Sequence, residues 1–372
     1  MTDTHLPSPI GSVTILSTAE TPSLSVIEDK PHRTSRFSPS QRVEFLVAGA
    51  SALSGTLLLS LLLNWTHPLT LVIWATLLFL LAEWLLVRDR AGAVQATDQV
   101  VTITVWSTGV IAVGLLVWML VYVTLKGVGG LSWSFFTQDL SKVGPLDPGG
   151  GAYHAIIGTL MQTSIATAIA VPLAVLTAVY LHELRGRMAG VVRFVSDAMS
   201  GLPSIVAGLF VYTLWVRAHG FSGLAGAAAL TIVMLPIVTR TAEEILRTVD
   251  PGLRESALAM GSPEWRMVLT IVLPTVRAGL VTAAILGVAR AVGETAPVLL
   301  TAFGSNTTNY NPTSGPQANL PLFVYQLIRQ PNAVQQQRAW AGALVLILLV
   351  LILFTLARVI SNRGAKRLGA KR

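Results

Sequence analysis

The sequence predicts an all-α membrane protein with about eight transmembrane helices. Three observations lead there. Of 372 residues, 52% are hydrophobic and 12% charged, with a mean hydropathy of +0.65; soluble domains carry about 25% charged residues. Apolar runs long enough to cross about 30 Å of hydrocarbon recur along the chain. Dense Lys/Arg clusters fall at every second junction between those runs, the asymmetry that orients membrane helices.

Residues 1–42 are rich in Ser, Thr and Pro and read as a disordered cytoplasmic tail, with a short docking motif as the alternative. They lack the charged start and apolar core of a cleavable signal. Residues 43–92 form a transmembrane hairpin from the runs Phe45–Leu63 and Leu69–Val87, turned at Asn64–Pro68. Trp65 and Trp84 are candidate interfacial anchors. Nothing in its apolar pattern decides between a lipid-facing brace and a partner-binding element.

The core, residues 99–360, opens with a run near Val100–Leu125 and a polar external loop, Lys126–Gly151. Gly149-Gly150-Gly151 lacks the preceding strand and following Lys-Ser/Thr of a nucleotide cradle. The run Ala152–Leu181 carries Gln162, Thr163, Ser164 and Thr167; polar groups at such depth face helices or water rather than lipid. In the run Ser196–Trp215, Pro203 has no N–H for the carbonyl of Met199 and opens the helix locally. Ser204 beside that turn is either a ligand contact or a small residue for close packing. Phe221–Val238 follows, then a cytoplasmic segment, 240–274, and a span from Ile271 to Phe303. A second polar loop, Ser305–Asn319, a last span near Ala339–Leu356 and a basic tail, 361–372, complete the chain. With both termini cytoplasmic, every dense basic cluster lies inside. The net charge of +8 is therefore an orientation signal and no pointer to nucleic acid.

Two stretches carry the chemistry. In the first, Asp250 is placed to cap a short helix, Pro251–Met260, about 15 Å long. Gly261 can end it in a left-handed turn, and Ser262-Pro263-Glu264 restarts helix. In the second, Arg290 lies near the middle of its span, where a lone charge costs at least about 2.5–3.5 kcal/mol. Glu294, one turn on, can pair with it as a buried couple. Pro297 frees the Gly293 carbonyl beside it, next to Thr295. A planar guanidinium at an opened turn suits an oxyanion; the alternative is a structural ion pair. There are no cysteines, no HxxxH or HExxH spacing and no Walker-type loop, so thiolate chemistry and an ATPase site are excluded and no metal site is indicated.

Glu255-Ser256-Ala257, then Gly261, then Ile271, Leu273 and Pro274 resemble the EAA signature of bacterial ABC importer permeases, with Ser256 for the first Ala. Ala289–Pro297, reading ARAVGETAP, is similar to the phosphate-specific branch, and its ending resembles the PstA family more than PstC. GLSWSFFTQDL and DPGGG in the first loop are similar to the same family. The resemblance covers residues from about 100 to 360 and leaves the first hairpin as an extra element. It implies a six-helix type I importer core in a bacterial plasma membrane. The chain would be a non-enzymatic permease subunit forming half of a phosphate pathway. Its partners would be a PstC-like second permease subunit, a PstB-like ATPase dimer holding ATP and Mg, and a PstS-like external phosphate-binding protein. By that resemblance, Glu255, Ser256, Ala257, Gly261, Ile271, Leu273 and Pro274 couple to the ATPase. Arg290, Glu294, Thr295, Ser204, Gln162 and Thr163 are the pathway candidates. Rival readings are a permease for molybdate or sulfate, an ion-coupled secondary transporter and a non-transporting scaffold. No inverted repeat is visible to favour the second, and a scaffold has no reason to keep a mid-span Arg and Glu.

Overall fold

A computed structural model describes residues 39–64, 67–184 and 186–369. Residues 1–38, the turn residues Trp65 and Thr66, Arg185 and residues 370–372 lie outside the described residues, so most of the amino-terminal tail and the anchor role of Trp65 are not addressed. The described residues are helical apart from loops and one isolated bridge, Phe303 to Gln317. Among the described residues seven helices are long and apolar enough to cross a membrane, or eight when a pair bent by 107° is counted as one span. Two compact units divide the chain at residues 1–112 and 113–372.

In the first unit, α1 (Pro39–Leu63) and α2 (Pro68–Ala91) form the expected hairpin. Small residues let the helices approach: Ala48 and Ala52 are buried, and a Cβ on Gly55 would lie 3.1 Å from Leu78. Glu83 is fully enclosed and accepts a 2.7 Å hydrogen bond from Gln99, near the start of α3 (Ala93–Val128). The Arg88 guanidinium covers the Trp84 ring at 4.8 Å.

The second unit is built on α5 (Tyr153–Leu184) against α8 (Gly223–Arg247). Ala166, Ala170, Ala174 and Ala178 recur every four residues along one stripe of α5, and none has exposed surface. Ala227, Leu230, Met234 and Val238 of α8 fill the facing groove. Without a hydrophobic drive between helices in lipid, this small-residue seam supplies the packing contact. At the Tyr153 end of α5 the seam is locked by polar groups. The Gln162 side chain donates to Gln317 at 3.1 Å, and the Leu320 N–H donates to the Thr159 hydroxyl at 2.7 Å. These tie the loop before α12 (Leu320–Ile328) to α5.

The span expected from Ser196 to Trp215 is two helices, α6 (Ala189–Gly201) and α7 (Ser204–His219), meeting at 107° across Leu202-Pro203. Leu202 closes the first on the Met199 carbonyl at 3.3 Å, and Pro203, with no N–H, starts the second. The span expected from Ile271 to Phe303 is likewise interrupted. Helix α10 (Glu264–Val292) stops at Gly293, and α11 (Ala296–Thr301) begins after Thr295. The last helix, α13, runs from Ala333 to Gly369.

The two polar loops are joined through Asp139, which follows the short α4 (Trp133–Thr137). Its carboxylate accepts from the Ser141 hydroxyl at 2.6 Å and from the N–H and hydroxyl of Thr308, each at 3.1 Å. The Ser141 bond, with those from Thr308, holds the Asp139 pKa at about 2, below its usual 3.8. A depressed carboxylate contributes stability above its unfolded pKa and loses it as pH falls through the folded value. Amide exchange at Thr308 should therefore show no loss of protection between pH 7 and about 4, then lose it towards pH 2. Asp139→Asn should lose protection at neutral pH. A wild-type loop that opens already at pH 5 would contradict this role.

Candidate functional site

Helices α6, α7, α8 and α10 line an open cavity of about 290 Å³ beside the break in each of the two interrupted spans. Arg290 and Ser204 both line it, together with Ser200, Arg240 and Thr241. Arg290 sits in the last turn of α10, rather than mid-span, because the helix ends at Gly293. Its Nε donates to Glu294 at 2.9 Å. The couple is not buried as a pair: the Arg290 side chain is 61% exposed and that of Glu294 12%. An exposed i,i+4 pair contributes about 0.3–0.5 kcal/mol, little against the cost of carrying the charge there. The remaining guanidinium nitrogens have no hydrogen-bond partner among the described residues.

Arg240 is the residue that the sequence reading missed. It lies one turn after Pro236 on α8, and its terminal nitrogen donates to Asp197 of α6 at 2.7 Å. A charged residue directly following an apolar run was the available signal. Ser204 is the first residue of α7; Pro203 before it supplies no side-chain cap, so the first N–H groups of that helix lack intrahelical acceptors.

The other pathway candidates lie elsewhere. Gln162 has no exposed surface; its amide nitrogen donates to Gln317 and the Ala318 carbonyl, while its amide oxygen is buried with no hydrogen-bond partner among the described residues. Thr163 lines a separate cleft of about 380 Å³ with Thr159, Ser164, Thr167, Val292 and Leu353. Thr295 is half-buried before α11, its carbonyl accepting from Leu299 at 3.0 Å.

The second candidate surface is α9 (Pro251–Ala259). Asp250 caps it, accepting from the Gly252 N–H at 2.9 Å. Gly261 follows with φ +78°, a conformation L side chains avoid. Ala257 is buried in one apolar cluster with Val249, Val268 and Val272, and Ile271 and Leu273 pack on the same cluster. Pro274 stands in the first turn of the α-helical part of α10, just beyond a π-helical turn, Val268–Val272. Glu255 and Ser256 face outward. So do large apolar side chains: Met260 is 87% and Trp265 63% exposed. Met260 and Trp265 flank the turn that joins α9 to α10.

Arg254 fixes this helix to the bundle and was not legible in the sequence, since its partner is 71 residues away. It grips Glu183 with two bonds, Nε at 3.0 Å and a terminal nitrogen at 2.8 Å, and donates to the carbonyls of Leu246 and Val249. Glu183 belongs to the π-helical turn that ends α5.

Comparison with known proteins bears on the family of the chain. Residues 170–366 match the family described as binding-protein-dependent transport system inner membrane component. The chain is 41% identical over 274 residues to phosphate transport system permease protein PstA 1 of Mycobacterium tuberculosis, covering 73% of this chain and 90% of that one. It is 41% identical over 248 residues to PstA of Yersinia pestis, covering 66% and 83%. A solved bacterial alginate ABC transporter, bound to its pentasaccharide-loaded periplasmic protein, superposes with a TM-score of 0.52 at 15% identity, covering 72% of this chain and 95% of that one. That likeness is one of fold. With nine-tenths of a curated relative matched at this identity, the chain belongs to the PstA family of phosphate transport system permease proteins.

Proposed function

We propose that the chain is the phosphate-conducting permease subunit of an ATP-driven importer, with the Arg290 cavity on the phosphate path. One observation carries this: two half-used guanidiniums, Arg290 and Arg240, meet Ser204 and the uncapped start of α7 at one cavity. Each supplies a donor that an oxyanion accepts, and helix starts favour anions. Glu294 and Asp197 each occupy one nitrogen of the paired arginine, which keeps the site nearly neutral and the ligand releasable. A second, PstC-like permease would close the cavity from its open side. A PstS-like binding protein would deliver phosphate at the loops joined by Asp139.

ATP and Mg would be held by a PstB-like ATPase dimer docked on α9 and on the exposed Met260 and Trp265 that follow it. Lys/Arg asymmetry puts that end, and both termini, in the cytoplasm. In the cysteine-free chain, single cysteines at Gly186 and Ser262 should label only from inside, and at Gly150 and Ser314 only from outside. External labelling at 262 would reverse the topology.

Gly261→Val forces a β-branched residue into the left-handed region. The variant should insert normally yet lose phosphate uptake, either by releasing the ATPase or by hydrolysing ATP without transport. Normal uptake would show that the turn is dispensable.

For the pathway, Arg290→Lys keeps the charge but loses the fork and should lower uptake. Arg290→Gln should reduce it by at least about tenfold, the weight of one charged hydrogen bond. Combining Arg290→Gln with Glu294→Gln discriminates the two roles, once assembly and ATP hydrolysis are verified. A structural pair predicts restored uptake. A pathway arginine predicts an assembled, ATP-hydrolysing complex that moves little phosphate.

A further inference from the structure

A second basic cavity lies at the same end of the bundle as α9 and has no part in the pathway described above. It is the larger of the two, about 430 Å³, and sits between the end of α5, the start of α6 and the last turns of α8. His182, Arg193, Glu243 and Arg247 supply its polar walls, and Ala189 and Gly190 its floor.

The charge arrangement differs from a structural ion pair. Arg193 and Arg247 each donate a single terminal nitrogen to the same oxygen of Glu243, at 2.8 and 3.0 Å. Glu243 is 11% exposed at its side chain; the arginines are 50% and 59% exposed. One carboxylate therefore serves two guanidiniums, and one positive charge is left over. By contrast, the nearby Arg254 and Glu183 are matched one to one by two bonds, as holding two elements together requires. The start of α6 adds to the surplus: Met188 gives it no side-chain cap, and the first N–H groups of a helix favour an anion. Beside the cavity α6 presents an apolar stripe, Met188, Val191, Phe194 and Val195, each about half exposed or more. Such a stripe beside a basic pocket lies at a membrane interface.

We infer that this cavity is a second oxyanion site, distinct from Arg290, that takes a phosphate group from the side on which α9 lies. Two sources present that chemistry there: inorganic phosphate in the cytoplasm, and the headgroup of an anionic phospholipid with its chains along the α6 stripe. The side assignment rests on the importer reading; the binding chemistry does not. Arg193 and Arg247 take the phosphate oxygens with their unused nitrogens, and Glu243 holds both forks in place.

The test uses the whole chain assembled with cysteine-free partner subunits. Gly190→Cys, whose Cβ meets nothing within 4 Å, carries an environment-sensitive fluorophore. Titration is with inorganic phosphate in neutral detergent, then with nanodiscs of phosphatidylcholine with or without phosphatidylglycerol. A shift with phosphate alone supports the site with free phosphate as ligand. A shift needing phosphatidylglycerol supports it with a headgroup as ligand. Arg193→Gln with Arg247→Gln should weaken either response at least about tenfold. Glu243→Gln, which keeps both arginines, should strengthen it, and this arm decides if the double variant does not assemble. No shift with either ligand, an equal shift with phosphatidylcholine, an undiminished shift in the double variant or a weaker one in Glu243→Gln would overturn the site. Phosphate uptake by the same complexes is read separately. An active importer without the shift sinks this inference alone, and a shift in an inactive complex sinks the importer reading alone.

Discussion

Inside a bilayer a helix can be broken only where the freed backbone groups find partners other than lipid. This chain breaks two helices, and it breaks them side by side. Gly208 of α7 lies so close to α11 that a Cβ there would sit 2.7 Å from the Cα of Pro297. That approach seats the segment after the Gly293 break directly on the segment after the Pro203 break. The open turns therefore face protein and a common cavity instead of hydrocarbon. Arg290 is placed by the first break and Ser204 by the second, so the chemistry at the cavity follows from a close backbone packing contact.

The same logic extends to the other end of the bundle. Glu183 and Ile271 each belong to a π-helical turn, Tyr180–Leu184 and Val268–Val272, and α9 lies between the elements that carry them. A π-turn inserts a residue and loosens the local ladder, and such turns recur at functional places. Arg254 ties α9 to the first, while Ala257 shares a buried apolar cluster with Val268 and Val272 of the second. A displacement of α9 thus acts on α5 through an ion pair and on α10 through apolar packing. Both helices lead towards the cavity region: α10 to Arg290 itself and α5 to its alanine seam with α8, which carries Arg240. This is a contiguous physical connection, and its coupling energy is a matter for mutant cycles.

Much of this was legible in the sequence because it is local. Apolar runs gave the spans, Asp250 and Pro251 gave the cap of α9, and the spacing of Arg290 to Glu294 gave their 2.9 Å bond. What was not legible is tertiary. Pro203 announces a lost hydrogen bond, but a 107° bend needs the neighbouring α11 to receive α7. Pro297 announces the opened turn at Gly293, but not that the helix stops there and restarts as a separate α11. Gln162 reads as a polar group at depth, and its bond to Gln317, 155 residues away, could not be read from local spacing. Arg254 and Arg240 escaped for the same reason: their carboxylates come from other helices.

Charge balance separates the two anion-favouring cavities and argues for different duties. At the central cavity two arginines are met by two carboxylates, Glu294 and Asp197, so there is no net attraction to hold an anion. Binding there depends on donor geometry, which a conformational change can dismantle, and passage requires a ligand that leaves as readily as it enters. At the α6 cavity two arginines share Glu243, and a net positive charge remains. It lies at the bundle end, where salt limits its reach to about 8 Å, so it acts on groups at the surface rather than drawing anions along the path. A retained phosphate group at that place touches α5, α6 and α8 together. It would thereby brace the junction from which Glu183 reaches Arg254, and with it the posture of α9.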